Sequence, residues 1–185
     1  VHKLEDLLDR ERFVDHDKES LDMFLESTKD FADRELFPYI KEMDEKPAYH
    51  KDGKVFVHSQ VETMMKKGGE LGFISAPFDY NIGGMQIPLM AHTAATYTLD
   101  AAHNHLPGHA GSTQGAAESI IHFASIDLVD TYVPNMLSGN WGGTMCLTEP
   151  QAGSSLSNIV TQRKPTEYSL YNIRGQKIFR SEGNM

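Results

Sequence analysis

The sequence holds one cysteine, Cys146, so no disulfide can close within the chain, and a reducing, cytoplasmic setting is expected. It has no run of about 18 apolar residues, so no membrane-spanning helix is expected. The first residues, Val1-His-Lys-Leu-Glu-Asp, offer neither the apolar core nor the small-residue cleavage site of a secretory signal. Cations are scarce. Seventeen Lys and Arg stand against 26 Asp and Glu, a net charge of -9. That balance argues against duplex nucleic acid, which is bound through clustered Lys and Arg. No G-x-G-x-x-G or Walker pattern occurs, and Gly83-Gly84 is too isolated for a phosphate loop, so nicotinamide and P-loop functions are not supported. What is present is ordinary for a soluble domain: 185 residues, 39% hydrophobic and 23% charged. A chain of this size buries about 70% of its unfolded surface, enough for a core without staples.

Helical periodicity dominates residues 1–140. Leu21, Phe24, Leu25, Thr28, Phe31, Leu36, Tyr39, Ile40 and Met43 recur at steps of three and four, predicting one helix bent at Pro38. The acidic run before it reads as a solvated helix face or a frayed arm. Residues 46–54 read as a loop. Ser59 and Glu62 have the spacing of a capping box for the next helix. Gly68-Gly69 weakens that helix by roughly 1 kcal/mol per glycine, which predicts close approach of another backbone. Pro88 opens a further helix at its first position. A Gly/His-rich break is expected at 103–111, then helices from about Thr113 and after Ser125, closed by Ser138-Gly139.

The texture changes at Trp141-Gly142-Gly143. Thr144 to Thr148 is β-prone, and Glu149-Pro150 ends it, because proline gives no N–H to a ladder. Gln151-Ala-Gly-Ser-Ser155 is a small-residue loop with free N–H groups, able to lie against a phosphate or a planar polar ring; the plainer alternative is an ordinary strand and turn. Tyr168–Gly175 alternates like a half-buried strand, and 176–180 continues the period.

Three ordered stretches carry a resemblance. Met145-Cys-Leu-Thr-Glu-Pro-Gln-Ala-Gly-Ser154 resembles the CxTEPxAGSD signature of flavin-dependent acyl-CoA dehydrogenases. Glu70-Leu-Gly-Phe with Asn81-Ile-Gly-Gly resembles that family's ELG…GG turn, and Gly175-Gln-Lys-Ile-Phe-Arg-Ser-Glu-Gly resembles its G-x-K-x-(W/F) strand. The Gln after the proline is similar to the branch that includes methylthiopropionyl-CoA dehydrogenases. The resemblance implies an α+β chain: a helical N-terminal domain at 1–140, then the opening strands of a β-barrel-like middle domain at 141–185. The family's C-terminal helical domain is expected to lie outside this sequence, which reads as a fragment.

Site residues follow from the same resemblance. Met145, Leu147 and Thr148 should face the flavin of FAD, with Thr148 bonding the ring. Ser154 should lie near the cofactor phosphates and the acyl-CoA; the plainer reading is a turn hydroxyl bonded to its own backbone. Ser155 stands where the pattern usually has Asp. Phe179 should pack on the ring and Ser181 should bond it, although Phe179 also fits a simple inward strand position. Glu149 is expected to hold the turn and not to act as the base. Cys146 is expected to be buried and unreactive in an apolar strand.

His103-Asn-His105-Leu-Pro-Gly-His109 lacks a completing cysteine or carboxylate for zinc, so no metal is expected; in the family this region shapes the substrate cavity. The implied reaction is α,β-dehydrogenation of an acyl-CoA in fatty acid metabolism. Its catalytic glutamate should lie beyond Met185, leaving no catalytic residue here. An electron-transfer flavoprotein or similar acceptor and a homo-oligomer are implied partners. Two alternatives stay open: an acyl-CoA oxidase or other flavoenzyme of the same fold, and a non-catalytic relative resembling the DNA-associated alkylation-response flavoproteins.

Overall fold

A computed structural model describes residues 3–167 and 170–179. Helix α1 (Glu5–Leu8) leads to α2 (Lys18–Phe31) and α3 (Ile40–Glu45). Asp17 caps α2: its carboxylate accepts the Ser20 N–H at 2.7 Å, and Ser20 Oγ accepts the Asp17 N–H at 3.0 Å. Between α2 and α3 the predicted bend is a π-turn at Ala32–Leu36 followed by a 3₁₀ turn at Phe37–Tyr39. Pro38 has no N–H to continue the α ladder, and the Phe37 N–H reaches back to Ala32 O instead. The segment before α2 is docked, not frayed. Arg12 pairs with Asp79, and His16 Nε2 lies 2.8 Å from Met85 O.

Strands β1 (Tyr49–Lys51) and β2 (Lys54–Phe56) form a hairpin where a loop was expected. Asp52 and Gly53 both take positive φ, 52° and 76°, the turn that matches strand twist. Helix α4 (Gln60–Glu70) follows. The expected Ser59 box does not form, because Ser59 is already in helical conformation. His58 caps instead, its Nδ1 accepting the Gln60 N–H at 3.2 Å.

Helices α5 (Leu89–His103), α6 (His105–Phe123) and α7 (Ile126–Leu137) complete the helical layer. Pro88 is the N-cap of α5 and not its first turn. The expected break at 103–111 shrinks to Asn104, since Pro107 falls in the first turn of α6, where its missing N–H costs nothing. The core runs from Leu21 to Leu137. Phe73 is buried in it, edge-on to Phe24 at 6.0 Å and to Phe31 at 5.3 Å. Gln114 of α6 ties the Phe73 segment down, its Nε2 donating to Ile74 O at 2.9 Å and Phe73 O at 3.2 Å.

Beyond the helices, β3 (Gln162–Pro165) pairs antiparallel with β4 (Tyr171–Arg174). Both are exposed on either face, so the half-buried alternation expected of this strand is not seen among the described residues.

Candidate functional site

The chain leaves α7 through Gly139 and enters the signature stretch at Gly143. Gly143 is held against α6: its N–H donates to Thr113 Oγ1 at 3.0 Å, and a side chain there would strike Ala116 and Met136. The next residues, 144–148, form no ladder of their own. Glu149 and Ala152 then exchange two backbone bonds, at 2.9 and 3.1 Å, making a tight turn.

Glu149 is the hub of that turn, as expected. Its side chain has no exposed surface. The carboxylate accepts from Gln151 Nε2 at 2.7 Å, Val160 N–H at 2.8 Å, Thr161 N–H at 3.1 Å and Lys177 Nζ at 2.9 Å. The Lys177 ammonium first, then the Thr161 and Val160 donors, hold this carboxyl far below the usual range.

The 175–179 segment lies directly against the signature stretch. Ile178 N–H donates to Thr148 O at 2.9 Å, and Lys177 Nζ donates to Leu147 O at 3.1 Å. Thr148 is thus brought beside the chain that carries Phe179; Ser181 lies outside the described residues. Phe179 has φ of 54° and is exposed, as are Met145 and Leu147. Ser154, two residues past the turn, is exposed. Cys146 is exposed too, which overturns its expected burial: with no second strand or covering sheet over 144–148 among the described residues, nothing encloses the thiol.

Two properties of this strip matter chemically. The N–H groups of Met145, Cys146, Leu147 and Thr148 have no partner among the described residues. The large side chains of Met145, Leu147 and Phe179 flank them uncovered. Open donors beside apolar surface fit a flat aromatic ring with polar edges, since such edges are costly to bury unpaired. Sequence reasoning missed Lys177 and Thr113. Their partners lie 28 and 30 residues away along the chain, and no local spacing encodes such pairs.

Residues 18–140 match the acyl-CoA dehydrogenase N-terminal domain family. The chain belongs to the acyl-CoA dehydrogenase family. A butyryl-CoA dehydrogenase of Syntrophomonas wolfei is 48% identical over 73 residues, 39% of this chain and 12% of that protein. A 3-methylmercaptopropionyl-CoA dehydrogenase of Ruegeria pomeroyi is 30% identical over 155 residues, 84% of this chain and 26% of that protein. Among solved structures, butyryl-CoA dehydrogenase from Megasphaera elsdenii shares the fold with a TM-score of 0.75 at 23% identity, over 91% of this chain and 42% of that one. The chain spans about a quarter or less of these two curated relatives.

Proposed function

We propose that this chain forms the helical domain and first β segment, divided near residue 140, of an FAD-dependent acyl-CoA dehydrogenase. The observation that carries the reading is the 145–148 strip, with four N–H groups open among the described residues and the Thr148 carbonyl bonded to the segment bearing Phe179. FAD, when bound, would supply the acceptor for a hydride leaving the β carbon of the thioester. Thr148 and the neighbouring N–H groups would orient the ring's polar edge, and Met145 and Leu147 would line its face. Phe179 would pack on it and exclude water. Ser181 would add a hydrogen bond, and Ser154 would meet the cofactor phosphates and the acyl-CoA.

The base that removes the α proton is proposed to be a glutamate outside these 185 residues; Glu149 is unsuited to the task, being buried and saturated with donors. The cytoplasm, a homo-oligomer and a flavoprotein electron acceptor complete the reading. Relatives named for butyryl-CoA and 3-methylmercaptopropionyl-CoA suggest short acyl groups as first substrates to try.

The test is anaerobic addition of these two thioesters to the FAD-loaded full-length protein. Bleaching of the visible flavin band is expected. Absence of bleaching with every acyl-CoA tried contradicts the reading, and rapid peroxide formation without an added acceptor redirects it to an oxidase.

A further inference from the structure

Lys177 is engaged in two places at once. Its ammonium meets the buried Glu149 carboxylate at 2.9 Å and the Leu147 carbonyl at 3.1 Å. Among the described residues, the first contact supplies the only cation bonded to a carboxylate that otherwise has neutral N–H donors, and a buried carboxylate stripped of its countercharge is strongly destabilising. The second contact is not required for that charge balance. It fixes the carbonyl of the residue just before Thr148, while the next residue along, Ile178, takes the Thr148 carbonyl at 2.9 Å. Two successive carbonyls of the strip are therefore occupied from the 177–178 segment, and the N–H groups at 145–148 stay open among the described residues.

We propose that Lys177, acting through Leu147 and Glu149, is a positioning residue that sets the open N–H edge of residues 145–148 for the flavin ring. The inference rests on the flavin-binding reading above. A bridge serving only the turn would join Lys177 to Glu149 and leave the strip alone. Because the same ammonium also holds a carbonyl inside the strip, losing it changes how the ring is seated. The helices do not depend on it, since their core residues end at Leu137.

The experiment is an FAD titration of the full-length protein by fluorescence quenching, with the visible spectrum recorded at saturation, for wild type, Lys177→Met, Lys177→Arg and Glu149→Gln. Lys177→Met is expected to raise the FAD dissociation constant about tenfold or more, the size of a lost charge-assisted hydrogen bond. Its bound flavin band is expected to shift, with the helical signal in circular dichroism unchanged. Lys177→Arg is expected to restore most of both. Wild-type affinity and spectrum in Lys177→Met overturn the positioning role and leave the flavin reading intact. No FAD binding by wild type overturns both. Should Lys177→Met not fold, Glu149→Gln decides: a weakened, shifted complex supports the role, and an unchanged one overturns it.

Discussion

Gly69 of α4 lies against the Ser138 carbonyl at the end of α7, and Gly139, at φ 75°, lies against the Met65 carbonyl of α4. Each helix end rests on the other's backbone, and a Cβ at either glycine would collide with it. The contact sets the direction in which the chain leaves α7 toward Trp141 and the signature stretch. Gly69→Ala should therefore destabilise by about 1–3 kcal/mol, the usual cost of overpacking. Gly115→Ala is the control: it is helical with nothing within reach of its Cβ, and should stabilise by about 0.5–1 kcal/mol. Thermal unfolding of the two variants checks both signs.

Glu149 makes the β segment acid-sensitive in a defined direction. Its folded carboxyl is held below its ordinary value of 4.5, chiefly by Lys177. The unfolded chain then takes up the proton first, so the stabilisation is complete above about pH 4.5 and is lost as pH falls below it. Amide exchange at Val160 and Thr161, both donors to this carboxylate, should quicken across that fall. Glu149→Gln should show fast exchange already at neutral pH. Equal protection in the variant would remove Glu149 from its role as hub.

His92 works the other way from a paired histidine. Burial lowers its pKa from 6.5, with the Gln114 side chain opposing. The neutral ring is favoured in the folded state, so its contribution is present above about pH 6.5 and declines as pH falls through the folded midpoint. A histidine-resolved NMR titration should place the His92 midpoint below 6.5; a midpoint at or above that value contradicts the burial argument.

The helical half was legible in the sequence because its signals are local. Steps of three and four put Leu21, Phe24 and Phe31 on one buried stripe, and Pro38 marked the bend. The glycine pair foretold the contact at Gly69, though not that Ser138 would make it. Two signals were misread for physical reasons. Asp52-Gly53 is a hairpin turn by its backbone, yet its flanking strands, Tyr49–Lys51 and Lys54–Phe56, are too short and exposed to show an apolar alternation. Ser59-x-x-Glu62 has the capping spacing, but Glu62 instead pairs with Lys66 at 2.6 Å, one turn along the helix. In the site, the motif placed Thr148 beside the segment of Phe179. Burial of Cys146 could not be judged from a run of apolar neighbours, because burial depends on what packs over the strip.

The most direct test of the account is a crystal structure of the protein with FAD bound. The isoalloxazine is expected on the 145–148 strip, with Thr148 hydrogen-bonded to it and Phe179 against its face. A ring seated elsewhere, for example in the 660 Å³ groove between Tyr132, Trp141 and Met65, with residues 145–148 untouched, would contradict it.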